Sequence, residues 1–297
     1  MKKIKYYIVL FLAVIGFTVY VLLDTFVITR VYGIEEGAAA GETSSESLDN
    51  TDTLNAAKTE NSYSDENIKI TVTEYERNGT AIYVADIELA SAEYLKTALA
   101  QGLYGKNVTE KTSKTAESVG AILAVNGDNY GSRETGYVIR NGKLWRDTPS
   151  VGDALAIYSD GSFKIINQSE ISAQELLEDG ALNVFSFGPA LVQDGEITVS
   201  KNSEVGKAMA SNPRTAIGII DDLHYILVVS DGRTSQSEGL SLYELAEFMK
   251  ESGVRIAYNF DGGGSSTMVF DGRIINNPTT NGSIKERSVT DIVYVGY

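Results

Sequence analysis

The sequence predicts an α+β domain, a mixed and mostly antiparallel sheet with flanking helices, preceded by one N-terminal transmembrane helix. Three observations carry that expectation. An uncharged apolar run, Tyr6 to Leu23, follows Lys2, Lys3 and Lys5. Later, short strand-like runs alternate with Asn-Gly and Asp-Gly turns. Helical patterns are few and follow no βαβ rhythm.

The apolar run is about long enough to cross a bilayer as a helix. Lysines on its N-terminal side predict a cytoplasmic N-terminus and an exported remainder, so residues 1–34 read as a single-pass anchor in the cell membrane. A cleavable signal peptide would have a shorter apolar region, and the one small-residue site, Ala38-Ala39-Ala40, lies well downstream. Residues 35–66 hold nine acidic residues against one lysine, with Tyr63 the single aromatic. Such a composition buries too little apolar surface to offset its ordering entropy, which predicts a disordered stalk. The extracytoplasmic domain is then expected over 67–297.

Within it, Ile68, Ile70 and Val72 alternate with polar residues, and Asn78-Gly79 turns this strand into Ala81 to Ile87. Ser91 to Ala100 reads as a helix behind a serine cap, and a second short helix starts at Thr112 or Ser113. Ala121 to Val125 fits a buried strand. Tyr137 to Leu144, and Ala154 to Ile166 broken at Asp160-Gly161, read as hairpins. Ala216 to Ser230 reads as paired strands turning at Asp221-Asp222. Leu240 to Ser252 is amphipathic, with Leu242, Leu245, Ala246 and Met249 on one face and Gly253 as its stop. No internal repeat is present.

Composition excludes several functions. A net charge of −15 and a pI near 4.6 argue against nucleic acid as a partner. With no cysteine, disulfide frameworks and thiolate metal sites are out, and a single histidine, His224, rules out a His-rich metal centre. No P-loop lysine follows the glycines Gly262 to Gly264, so a nucleotide is not expected. The Gly-x-Ser-x-Gly elbow is also missing. An EF-hand loop counted from Asn126 fails at its twelfth position, Tyr137. Calcium bound by other carboxylates has no support, and no cofactor or metal is called for.

The stretch Asn259-Phe260-Asp261-Gly262-Gly263-Gly264-Ser265-Ser266-Thr267 lies between two strand-like runs. Three successive glycines suit close backbone approach, and a wall of N–H groups and hydroxyls suits an anion. A glycine-rich turn is the plain alternative. Around it stand Asn126-Gly127-Asp128, Phe187-Gly188-Pro189-Ala190-Leu191, Asn212-Pro213-Arg214-Thr215-Ala216-Ile217-Gly218, Asp231-Gly232-Arg233 and Arg287-Ser288-Val289. Taken singly, each is also ordinary turn chemistry.

In this order the motifs resemble the phosphodiester glycosidase family, over roughly Ser113 to Tyr297. The resemblance implies hydrolysis of a sugar-1-phosphodiester at the anomeric C–O bond, and the short anchor and acidic stalk fit a cell-envelope setting. By match of motif it gives site status to Asn126, Asp128, Arg214, Asp231, Arg233, Asp261, Gly263, Ser265, Thr267 and Arg287. Guanidinium forks match phosphate oxygens, so Arg214, Arg233 and Arg287 are expected to bind phosphate. The Gly262, Gly263 and Gly264 amides and the Ser265 and Thr267 hydroxyls are expected to complete the cradle. Oxocarbenium character at the anomeric carbon calls for a carboxylate, and Asp261, Asp231 and Asp128 are the candidates. The alternative function is a non-catalytic, membrane-tethered binder of phosphate-containing envelope polymers. A third is a structural domain in which the glycines only turn the chain.

Overall fold

The computed structural model describes residues 2–35, 56–203 and 211–297. Helix α1 (Lys2–Phe26) contains the candidate span Ile4–Phe26, with mean hydropathy 2.4 and none of its most apolar window buried against protein. The strand Arg30–Ile34 follows directly and pairs with Leu103–Lys106. Most of the segment read as a stalk, residues 36–55, lies outside the described residues. Its end does not behave as a stalk. Ala57–Lys58 and Ser62–Ser64 are strands, and Tyr63 is buried with its hydroxyl donating to Asp65 at 2.5 Å. One aromatic beside the strand Ile68–Arg77 suffices to recruit this short acidic stretch into the sheet.

All pairings among the described strands are antiparallel. The central sheet has nine strands; running inward from one edge, Glu196–Ile197, Ala190–Gln193, Ile256–Asn259, Arg214–Asp221, His224–Ser230, Thr80–Leu89 and Ile68–Arg77 come in that order. The tight turn between the last two uses Asn78 (φ 52°) and Gly79 (φ 66°), the left-handed pair that matches the twist of a two-residue hairpin. Side chains of His224–Ser230 alternate. Tyr225, Leu227 and Val229 face the main core, while Ile226 and Val228 face helix α4 (Leu242–Glu251). That helix is capped by a Ser241–Glu244 capping box and buries Leu242, Leu245, Ala246 and Met249 on the sheet. Leu242, Leu245 and Met249 each contribute about 1.5–3 kcal/mol.

Opposite α4, the main core is closed by two five-stranded sheets. One holds Leu123–Asn126, Met268–Phe270, Asp291–Val295 and Leu95–Leu99; the other holds Val138–Arg140, Asp153–Tyr158 and Ala181–Phe185. Helices α2 (Thr112–Ser118) and α3 (Ala173–Glu178) each pack on a face of one of these sheets, α2 through Ala116 and α3 through Ala173 and Leu176. The expected helix over 91–100 is instead a short 3-10 turn, Ala92–Tyr94, and the strand Leu95–Leu99. Its pairing with Asp291–Val295 overrides a weak helical propensity. α3 escaped the sequence reading, although Ser172 and Glu175 form a capping box there.

Candidate active site

Two sheets end at the same place. Arg214 opens one central strand and Asn259 closes its neighbour, while Asn126 closes the strand Leu123–Asn126 of the second sheet. Asn126 is fully buried and ties these ends together. Its Oδ1 accepts from Thr215 Oγ1 at 2.8 Å and from the Thr267 amide at 3.3 Å, and its Nδ2 donates to the Asp261 carbonyl at 2.6 Å. Removing this amide would strand several buried partners at once.

From that anchor the chain enters the glycine turn, beside a cavity of ≈ 170 Å³. Arg214, Arg233, Arg287, Asp261, Gly262 and Gly263 all line it, with Phe187, Asn212, Asn259 and Phe260. The three glycines meet the three arginines in order. A Cβ on Gly262 would lie 3.9 Å from Arg214 Cδ, one on Gly263 2.8 Å from Arg233 Nη2, and one on Gly264 3.5 Å from Arg287 Cβ. At Gly263 the requirement is double, because its φ of 62° is also left-handed.

Asp261 presents a fully engaged carboxylate. Oδ1 accepts from the Gly262 amide at 3.0 Å; Oδ2 accepts from Ser265 Oγ at 2.6 Å and from Arg287 Nη2 at 2.6 Å. Arg287 also donates to Ser265 Oγ through Nε at 2.9 Å. The Arg233 guanidinium is oriented by buried Asn212, whose Oδ1 accepts from Nε at 3.1 Å and Nη2 at 2.8 Å. Arg214 Nε donates to the Leu240 carbonyl at 2.8 Å. Asn259 gives its Nδ2 to the Gly188 carbonyl, while its buried Oδ1 has no partner among the described residues. A donor on a ligand would satisfy it.

Other expected residues stand behind this wall or away from it. The Gly262 and Gly263 amides are already committed, to Asp261 Oδ1 and to the Pro213 carbonyl. Thr267 Oγ1 is buried outside the cavity lining, and Gly264 packs against Thr280. Asp231 does not line the cavity either. Its carboxylate accepts from the Asn277 amide at 2.8 Å, Asn277 Nδ2 at 2.9 Å and Asn276 Nδ2 at 3.2 Å, clamping the loop behind Ser266. The buried Tyr83 hydroxyl beside it is pushed up to about 12. Asp128 is bound elsewhere, by Arg140 at 3.0 Å and by the Ser186 amide at 2.9 Å. Arg140, fully buried, also grips Asp291 at 2.7 Å. Burial, then the neighbouring Asp128 charge, raises the Asp291 carboxyl to about 7.

Sequence reasoning missed Arg140, Asn276 and Asn277, and gave no role to Asn212, Asn259 or Phe187. Asn212 and Asn259 flank motifs already singled out, so their proximity was the available signal.

An antiparallel domain whose pocket is lined by three arginines and one carboxylate defines a site suited to an anionic ligand. Comparison with known proteins sharpens that class. The phosphodiester glycosidase family model matches residues 119–296, and the chain belongs to this family. A Bacillus subtilis prophage-derived uncharacterized protein, YomE, is 29% identical over 200 residues, covering 65% of this chain and 31% of its own length. Mouse N-acetylglucosamine-1-phosphodiester alpha-N-acetylglucosaminidase is 29% identical over 183 residues, covering 56% of this chain and 35% of its own. The chain thus spans about a third of the length of these curated relatives. The zebrafish catalytic domain of the same enzyme, auto-inhibited by its pro-peptide, superposes with a TM-score of 0.61 at 22% identity, covering 77% of this chain and 83% of that one. That likeness establishes the fold.

Proposed function

We propose that this chain hydrolyses a sugar-1-phosphodiester at the anomeric C–O bond, releasing free sugar from an envelope glycan or glycoconjugate. α1 would anchor it in the membrane, with the domain extracytoplasmic. The observation that carries the reading is the lining of one cavity by Asp261 and by Arg214, Arg233 and Arg287. In a chain of net charge −15, three guanidinium groups converging on one carboxylate create the local field that a phosphodiester requires.

The arginines take the phosphate oxygens as charge shifts onto them in the transition state. Asp261, held acceptor-only by Ser265, Arg287 and Gly262, faces the anomeric carbon and stabilises or attacks the oxocarbenium-like centre. Asn259 Oδ1 accepts from a sugar hydroxyl. A phosphate leaves more readily than an alkoxide, so the reaction makes little demand for a strong general acid. Asp231 and Asp128 serve this reading as scaffold.

Hydrolysis in 18O-labelled water tests it. Label is expected on the anomeric oxygen of the sugar and not in the phosphate. Label in the phosphate would mean attack at phosphorus, and binding with no turnover of any sugar-1-phosphodiester would favour the non-catalytic binder.

A further inference from the structure

We propose that the substrate is membrane-borne: a sugar-1-phosphodiester whose alcohol is a lipid, held in a second cavity where α1 meets the domain. This inference rests on the glycosidase reading above. Its first support is the junction. α1 is joined to the domain with no spacer, because Arg30–Ile34 pairs with Leu103–Lys106. Asn107 Nδ2 locks the corner by donating to the carbonyls of Thr25 at 3.3 Å and Ile28 at 3.0 Å. A helix of this length rises about 37 Å, enough to cross the hydrocarbon core, which sets Asp24, Thr25 and Phe26 at headgroup level.

Those three residues line a cavity of ≈ 610 Å³, walled further by Tyr32, Tyr104, Tyr130, Lys106 and Arg133. Tyr104 stacks on Tyr130 with ring centres 5.2 Å apart, and Tyr32 packs on Tyr104 at 6.2 Å. Arg30, Arg146 and Glu134 complete the wall, and rings with polar tips set among charged groups are what the membrane interface favours. Lys106, 3.6 Å from Asp24, sets a cation at the end of α1, at the mouth proposed for the lipid chain.

The second support is proximity to the catalytic pocket. Arg133 lines the juxtamembrane cavity, and its guanidinium lies 4.5 Å over the Phe187 ring. Phe187 in turn lines the pocket of Asp261. Between the two, Arg133, Phe187, Tyr130 and Arg146 close on a space too tight for a water molecule, so the Arg133–Phe187 contact must part for a chain to pass. With that contact open, a substrate with its phosphate at Arg214, Arg233 and Arg287 and its hydrocarbon running past Phe187 would reach the tyrosines and then the bilayer. In the reaction, water adds its oxygen to the anomeric carbon and the C–O bond breaks with its electron pair passing to phosphate oxygen, which takes up a proton. Free sugar leaves, and a lipid phosphate monoester stays in the membrane.

The test uses the full chain in phosphatidylcholine vesicles and two N-acetylglucosamine-1-phosphate esters, hexadecyl in the same vesicles and methyl in solution. At least a tenfold higher kcat/KM is expected for the hexadecyl ester, with slower cleavage when that ester sits in separate vesicles. Tyr32→Ala combined with Lys106→Glu should cut the hexadecyl-to-methyl ratio at least fivefold. Trp145, the single tryptophan, stacks on Tyr104 at 5.2 Å and supplies a readout independent of turnover. A chain-brominated hexadecyl ester should quench it more than the same mole fraction of brominated phosphatidylcholine. Equal turnover of both esters would overturn the lipid inference and leave the glycosidase reading intact. So would a ratio unmoved by the double variant. Specific quenching with neither ester cleaved would keep the lipid cavity and count against the glycosidase reading; no specific quenching and no preference would remove the lipid cavity.

Discussion

Asp261 with Arg287, and Asp128 with Asp291 on Arg140, are the same chemistry in opposite settings. Arg287 is 44% exposed and its partner Asp261 opens onto a cavity. Arg140 and its two carboxylates are sealed between sheets, with at most 3% of any side chain accessible. An exposed pair can exchange partners with a ligand, whereas a buried one cannot let go without leaving a bare charge in low dielectric. The first pair is open to a ligand, and the second ties the strands Val138–Arg140 and Asp291–Val295 to the turn that carries Asp128.

Breaking each pair should therefore damage different properties. Asp261→Asn is expected to lower kcat on a sugar-1-phosphodiester by about 10³-fold or more, as for removal of a reacting carboxylate, with unchanged unfolding midpoints. Retained kcat would return Asp261 to the scaffold. Arg140→Ala should do the reverse. It leaves Asp128 and Asp291 buried and unpaired, and a stability loss of about 3–5 kcal/mol is expected in denaturant titrations. A fully stable Arg140→Ala protein would show the knot to be dispensable.

Much of the pocket was legible in the sequence, and the reason is local. Asp261, the glycines and Arg214 sit at strand ends beside turn residues, and there turn chemistry and site chemistry coincide. The three glycines also announce close approach, which the Pro213 carbonyl, Arg233 and Thr280 supply in turn. Asp128 and Asp231 carry the same turn signature, and it is the match to the family's motifs that names them as site carboxylates. Only the fold shows that one faces a buried guanidinium and the other an asparagine loop. Arg140 was hidden for the opposite reason. It follows Tyr137-Val138-Ile139 in a hairpin beside Asn141-Gly142, where a charge normally reaches solvent, and its two partners lie 12 and 151 residues away. The strand Leu95–Leu99 was lost similarly, since its partner comes at the end of the chain.

A milder change sharpens the pocket side. Arg214→Ala should cut kcat/KM for a sugar-1-phosphodiester by about 2–5 kcal/mol, and for an uncharged glycoside of the same sugar far less. Equal losses on both would make Arg214 a structural residue. Gly263→Ala should act through its neighbour, because a methyl group there strains a left-handed backbone and displaces Arg233 from Asn212. About a tenfold loss in kcat/KM is expected, with a stability cost near 1 kcal/mol. A loss of stability with unchanged kcat/KM would show that Arg233 does not need its seat.

The last expected effect lies on the buried side and depends on pH. Two carboxylates share one guanidinium in the knot, so full ionisation leaves a net negative charge in the interior. Burial, followed by the Asp128 charge, holds the Asp291 carboxyl up at about 7, against an ordinary value of 3.8. Between those values the folded state binds the proton more tightly than the unfolded chain does. The stability this group supplies is thus complete below about pH 4 and is lost as pH rises towards 7, with a slope of at most about 1.4 kcal/mol per pH unit. Asp291→Asn removes the titration while other groups continue to titrate in both proteins. The unfolding free energy of the native chain minus that of Asp291→Asn should therefore fall across pH 4–7 and level off above it. A difference that is flat or rises over that interval would mean that Arg140 keeps both carboxylates ionised, and that the knot tolerates its extra charge.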